Sequence, residues 1–216
     1  SVSRGLGDVY KRQQYILDNV DVDNLFEYMA LEMFVGNSDI GNIRYYRLHQ
    51  EGSKWKWIWY DADYGLYSSK FNSPWSYLKV KGMGEQKIDN TIFLKLLEHP
   101  DYKRKFLEKL ADVYKTFTTE YMTQVLDGVV AEIQPEMKNH WERWGELNDK
   151  AVTSEVPTTI DGAYTYWESR VNRLYNTLKV RPHRLWDFIK DEFKLTKTEM
   201  EELFGPQPDY PDDAVL

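Results

Sequence analysis

The 216 residues contain no cysteine, which excludes disulfides, thiolate metal sites and a cysteine nucleophile while leaving the compartment open. Histidine is scarce: His49, His99, His140 and His183 are scattered without a ligand spacing such as H-x-x-x-H, so zinc is not indicated. No G-x-S-x-G occurs, and a serine triad has no support. The chain has no apolar run long enough to cross a bilayer. It also lacks an excess of positive charge. The formal net charge of −7 argues against a sequence-independent grip on nucleic acid, which needs a basic face.

What is present suits a folded domain, since 42% of the residues are hydrophobic and 15% aromatic, enough for one compact unit with a substantial core. The most informative stretch is Asn37–Gly65, NSDIGNIRYYRLHQEGSKWKWIWYDADYG. Just before it, Leu25, Phe26, Met29, Ala30, Met33 and Phe34 recur at helical spacing, which predicts a helix that buries one face and delivers Gly36 and Asn37 at its end. Ile43 to His49 alternates as a strand, Gln50 to Lys54 supplies a turn around Gly52, and Trp55 to Tyr60 returns as a second strand. A hairpin brings its far end back beside its start. Asp39 and Asn42, ahead of it, are therefore expected to approach Asp61 and Asp63, behind it. Each alone is an ordinary loop or strand-end residue, but together they offer the few hard oxygen donors that Mg²⁺ accepts alongside phosphate and water.

A helix, an Asp/Asn loop, two short antiparallel strands and an Asp before aromatic-Gly is the order of parts in the catalytic half of a protein kinase. The spacing departs from the common form, because Asp39 to Asn42 is D-x-x-N where the usual signature places four residues between. From Gln14 to Phe204 the chain instead resembles the CotH family of spore-coat-type atypical kinases. The resemblance rests on LFEYMALEMFVGNSD, the N-x-D-x-x-N loop, W-x-W-I-W-Y-D-A-D-Y-G, TIFLKLLEHPDYKRKFLEKLADVY and the late R-P-H-R-L-W.

That resemblance implies an α+β, mostly α fold: a kinase-like C-terminal lobe whose β-hairpin carries the metal motif, followed by a helical bundle. It implies transfer of the ATP γ-phosphoryl group to Ser or Thr of a protein substrate with Mg²⁺, or Mn²⁺ in its place. Asp39 would position or deprotonate the acceptor hydroxyl, and Asn42 and Asp61 would hold the metal. Asp63 competes with Asp61, because Asp63-Tyr64-Gly65 looks like the D-F-G triplet, and ranks second since Asp61 directly follows the strand. Asn37 is a weaker candidate, equally explained as a helix C-cap. The resemblance alone suggests a bacterial spore-coat or extracytoplasmic setting.

A non-catalytic domain on the same scaffold is the alternative, either a degenerate kinase or a surface module. Trp55, Trp57 and Trp59 share one strand face with Asp61, and Asp63 joins them if the extended geometry persists. Such a face suits a sugar-stacking platform or, with paired carboxylates, a glycosidase. Burial beneath the helices that follow is the preferred fate for it.

The ends are set apart. Ser3–Gln13, SRGLGDVYKRQ, reads like the conceptual translation of a transposase-type sequencing adapter, so residues 1–13 are treated as non-native. A parent beginning further upstream is then expected, with its nucleotide-gripping lobe outside this chain and the fragment inactive alone. Residues 14–205 form the CotH-like domain, and 206–216, with three prolines, a disordered tail. Residues 66–90 read as a long loop, either a substrate-binding segment or a surface excursion. Within it, Lys81–Lys87, KGMGEQK, gives a weak phosphate-contact signal.

From Thr91 the pattern is helical. Ile92, Phe93, Leu96 and Leu97 form one stripe, Phe106 to Tyr114 a second after Pro100, and Val125 to Ile133 a third. A fourth helix holds His140, Trp141 and Trp144, and a fifth runs through Trp167 to Leu178. Arg181-Pro182 is expected to break that helix before Leu185 to Phe193. Thr196 and Glu199 make a capping box for the last helix, closed by Gly205.

Overall fold

The computed structural model describes residues 14–39, 41–79, 89–151 and 157–212, without the side chains of 145–151. The chain divides into two compact units, a division the sequence does not signal. One comprises Ser1–Thr116 with His183–Asp209, the other Phe117–Pro182 with Tyr210–Leu216. The described residues are mostly helical, with one antiparallel hairpin.

The first unit is organised around α1, Val22–Val35. Asp21 caps its start, its side chain accepting from Asn24 N at 3.1 Å. The predicted apolar stripe is buried, and so are Val22, Tyr28, Glu32 and Val35, so α1 is enclosed on nearly every side rather than on one face. Gly36 ends it in the left-handed region, φ 64°, its N–H bonding Glu32 O at 3.0 Å.

The hairpin pairs β1, Arg44–Tyr46, with β2, Lys56–Ile58, in the register Arg44↔Ile58, Tyr45↔Trp57, Tyr46↔Lys56. Both strands are shorter than the alternation predicts, and the turn falls where Gly52, φ 73°, permits it. Asn24 pins the hairpin to α1: its Oδ1 accepts from Trp57 N at 2.6 Å and its Nδ2 donates to Trp57 O at 3.2 Å. One residue before β2, Trp55 bridges Val20 in parallel, exchanging backbone bonds with Asn19 and Asp21 of 2.8 and 3.0 Å.

Residues 66–79 are not structureless. Asn72 caps a short helix, α2, Ser73–Leu78, whose first turn holds Pro74, a favoured position because proline's missing N–H has no partner there. The Lys81–Lys87 segment lies outside the described residues. Helices α3, Thr91–Leu97, and α4, Pro100–Thr116, follow. In α3 only Phe93 and Leu96 of the predicted stripe are buried, while α4 buries Phe106, Leu107, Leu110, Val113 and Tyr114 as the spacing predicts. Phe26, Phe93 and Phe106 meet edge to face, with ring centroids 4.8 to 6.1 Å apart, and Phe193 adjoins Phe106 at 5.8 Å.

In the second unit, α5, Thr119–Ile133, leads through a 3₁₀ turn, Gln134–Glu136, to α6, Met137–Ala151. The third predicted stripe is not core. Val125, Val129 and Ile133 are exposed, and no residue of α5 is fully buried. The expected break at Pro182 does not occur either, because α7 runs unbroken from Ile160 to Phe193. An interior proline costs roughly 3 kcal/mol. Burial of Leu178, Val180, Leu185, Trp186 and Ile189 on either side of it, at about 1.5–3 kcal/mol each, outweighs that local preference. Past α7, Lys194 takes φ 58°, and Lys103 Nζ donates to Phe193 O at 3.0 Å.

The capping box is as read: Thr196 and Glu199 exchange backbone and side-chain bonds at the start of α8, Lys197–Phe204, and Gly205 ends it at φ 83°. Beyond it the chain has neither helix nor strand through 206–209. There Trp186 Nε1 donates to Gly205 O at 3.1 Å, and His183 Nδ1 lies 2.7 Å from Pro208 O.

Asn24→Ala is expected to destabilise the fold by about 1–3 kcal/mol, since it strips two partners from the Trp57 backbone. Chemical denaturation measures it, and a change within a few tenths of a kcal/mol would show that the pin contributes nothing.

Candidate active site

The loop between α1 and β1 is set by short-range bonds. Asn37 Oδ1 accepts from Asp39 N at 3.0 Å, Asn42 N reaches Asp39 O at 3.4 Å, and Ile43 N reaches Gly41 O at 3.0 Å. Asp39 and Asn42 are half-buried. Across the hairpin, Asn42 Nδ2 donates to Asp61 Oδ2, and the Tyr60 hydroxyl donates to Asn42 Oδ1. The closure predicted from the hairpin therefore joins Asn42 to Asp61.

Asp63 does not share in it. Asp61 adopts φ 54°, a left-handed conformation that ends the extended run, so Asp63 does not continue the strand face as alternation required. It is exposed. The D-A-D-Y-G turn instead folds back on the end of α1: Gly65 N bonds Ala62 O at 2.8 Å, and Leu66 N bonds Val35 O at 2.6 Å. A Cβ on Gly65 would lie 2.8 Å from Ala62 O and 3.0 Å from Val35 Cγ2. Glycine is needed there for close approach.

Asn37 is not the helix cap, a role Gly36 fills. It is 2% exposed, and its side chain hydrogen-bonds Glu32 as well as the Asp39 backbone. Glu32 is itself buried. Burial pushes its carboxyl above the ordinary glutamate range and the nearby Asp39 charge pushes the same way, against hydrogen bonds from Tyr77, Asn37 and Tyr28. Burial beside Glu32 likewise pushes the Tyr28 and Tyr77 hydroxyls far up, so both remain protonated donors.

The tryptophans are not core. Trp55 and Trp57 are half-buried and Trp59 is exposed. With Tyr45, Trp55 and Trp57 wall a cavity of about 490 Å³ that also touches Met29, Asp89 and Asn90. Tyr45 meets Trp55 edge to face at 5.5 Å, and the Arg47 guanidinium lies over the Trp55 ring.

Chemically, the Asp61 carboxylate and the Asn42 carbonyl are hard oxygen donors on touching residues; the touch is made by the Asn42 nitrogen, and the carbonyl oxygen, bonded by Tyr60, keeps a second lone pair for a cation. That donor set fits Mg²⁺, which takes one or two carboxylates with phosphate oxygens and water. Among the described residues no three Asp, Glu, His or Cys side chains gather as a complete protein cage. Sequence reasoning passed over Tyr60, Glu32 and Tyr77. The one available signal was Glu32, a charged residue flanked by the apolar positions of α1.

Two substitutions follow from this geometry. Gly65→Ala should destabilise by about 1–3 kcal/mol through overpacking, read as a lowered denaturation midpoint. An unchanged midpoint would mean that the turn has room. Because the folded pKa of Glu32 is raised, its contribution is fully present below the unfolded glutamate pKa and is lost as pH rises through the folded value. Glu32→Gln should therefore flatten the fall in stability over that window, and an identical pH profile would contradict the placement of Glu32.

No curated protein and no solved structure matches the chain. The family described as CotH kinase protein matches residues 4–185, which takes in α1, the Asp39 loop, the hairpin and most of α7. The chain belongs to the CotH kinase family.

Proposed function

We propose that this chain carries the phosphoryl-transfer residues of a CotH-type protein kinase, moving the γ-phosphoryl group of ATP to a Ser or Thr hydroxyl of a protein substrate. The observation that supports it most is the bond from Asn42 Nδ2 to Asp61 Oδ2 across the hairpin, with Asp39 on the same loop as Asn42. Asp39 accepts the hydroxyl proton as the acceptor oxygen bonds to phosphorus and the bond to the ADP oxygen breaks. Asn42 and Asp61 would hold Mg²⁺, with Asp63 as the second-ranked ligand. Bound there, the cation supplies charge neutralisation at the phosphate oxygens. Tyr60 orients the Asn42 amide, presenting its oxygen to one side and its nitrogen to Asp61.

A second function has its own support. Trp55 and Trp57 are half-buried and border a cavity whose other walls include Met29 of α1 and Phe93 of α3, which suits stacking against a sugar ring in a non-catalytic binding domain.

Calorimetric titration separates the two. ATP with Mg²⁺ is expected to bind the longer parent, ATP without metal much more weakly, and Asp61→Ala is expected to lose the metal-dependent part at least tenfold. Equal binding by the wild type and Asp61→Ala would remove Asp61 from the site. Saturable heat with soluble oligosaccharides, lost in Trp57→Ala, would favour the sugar-binding function. In a transfer assay on the longer parent expected from the sequence, Asp39→Ala is expected to lower turnover by about 100-fold or more without shifting the unfolding midpoint; unchanged turnover would take Asp39 out of the mechanism.

A further inference from the structure

The acid in the last turn of α1 has no role in the assignments above, yet it is among the best-enclosed charged groups of the described chain. Glu32 is 2% exposed, as are Asn37 and Tyr77, and Tyr28 is 5% exposed. No ion pair joins Glu32 to a Lys, Arg or His among the described residues. Its partners are neutral donors from three places. The Tyr77 hydroxyl, on α2, lies 3.0 Å from Glu32 Oε2 and 3.4 Å from Asn37 O. The Tyr28 hydroxyl comes from the preceding turn of α1, and the Asn37 side chain from the loop. Asn37 N adds a backbone bond to Glu32 O at 3.2 Å.

A buried carboxylate without a countercharge is costly unless donors surround it. A core position serving packing alone would carry an apolar side chain. What this one does is set the direction of an amide. In its ionised form the carboxyl only accepts, so the Asn37 amide then turns its nitrogen toward Glu32 and its oxygen toward the Asp39 N–H, where it sits at 3.0 Å. Tyr77 ties the same carboxylate to α2, and Asn90 Nδ2 holds the Tyr77 carbonyl at 3.0 Å. The segment after the D-A-D-Y-G turn is thus linked to the Asp39 loop through one acceptor.

We propose that Glu32 is a positioning residue for Asp39, acting through Asn37, and that Tyr77 makes that positioning depend on where α2 sits. The catalytic part of this inference rests on the phosphoryl-transfer assignment; the positioning part does not. At Glu32→Gln the new amide can donate to Asn37, so Asn37 is free to turn over and release the Asp39 N–H. The groups that act on the Glu32 carboxyl are Tyr28 of α1, Tyr77 of α2, and Asn37 and Asp39 of the loop, and Tyr60 acts in turn on Tyr28.

Amide hydrogen exchange on the whole chain tests it. Glu32→Gln is expected to speed exchange of the Asp39 amide at least tenfold while the amides of α4 keep their protection. In an Asn37→Ala background, where the link is already cut, Glu32→Gln should add no further acceleration at Asp39, a non-additivity that general loosening would not produce. Tyr77→Phe removes one hydroxyl and keeps the ring; it should give the same local effect on a smaller scale, and it carries the test if Glu32→Gln fails to fold.

With ATP, Mg²⁺ and a Ser/Thr peptide, the longer parent carrying Glu32→Gln should show kcat down at least tenfold and the KM for ATP within twofold. An unchanged Asp39 amide, uniform acceleration across the chain, or additivity with Asn37→Ala would overturn the positioning role. Absence of transfer by the wild-type parent with local exchange effects intact would instead count against the phosphoryl-transfer assignment and leave the positioning role standing.

Discussion

Everything that frames Asp39 hangs on one helix buried round nearly its whole circumference. α1 shares the Phe26, Phe93 and Phe106 cluster with α3 and α4, takes β2 through the two-way bond between Asn24 and the Trp57 backbone, and receives the D-A-D-Y-G turn through Leu66 N on Val35 O. A helix held from so many directions has little freedom to rotate or slide. Its C-terminal end therefore presents Asn37 and Asp39 at a defined place relative to Asn42 and Asp61, which is the preorganisation that positioning catalysis needs.

Enclosure also has a cost, and α1 meets it locally. Burying Glu32 removes a charge from water, and three neutral donors offset that loss by converging on one carboxylate. The donors are drawn from α1, α2 and the loop, so satisfying the charge also fixes how those three parts meet. Core packing and site geometry are the same set of contacts here. Asp21 shows a milder version at the other end of α1: burial works to raise its pKa, but the Asn24 amide and the Lys56 ammonium, 3.3 Å away, hold the carboxyl below the ordinary aspartate range.

The parts legible in the sequence were those governed by local rules. The α1 stripe, the Gly52 turn and the Thr196 and Glu199 capping box follow from periodicity and turn chemistry alone, and hairpin closure followed from simple geometry. Where tertiary context overrode a local rule, sequence reasoning failed. Pro182 sits inside a helix because buried neighbours on both sides outweigh it. The Val125 to Ile133 stripe has helical spacing, but spacing cannot say whether a partner covers it. Trp55 and Trp57 alternate like core residues and yet border a cavity. Asp61 turns left-handed without glycine, which no propensity foretells, and that turn is what separates its fate from that of Asp63. Glu32 was hidden because a charged residue in an apolar helix reads as its solvated edge until all sides prove buried.

The central claim is that the hairpin makes Asn42 and Asp61 one cation site beside Asp39. Paramagnetic broadening by Mn²⁺ with ATP tests it most directly, read on the backbone and side-chain amide signals of the isotope-labelled chain. Strong broadening is expected at Asn42 and Asp61, less at Asp39, and none at Gly52 at the far end of the hairpin. Broadening centred on Asp63 or Asp89, with Asn42 and Asp61 sharp, would contradict it.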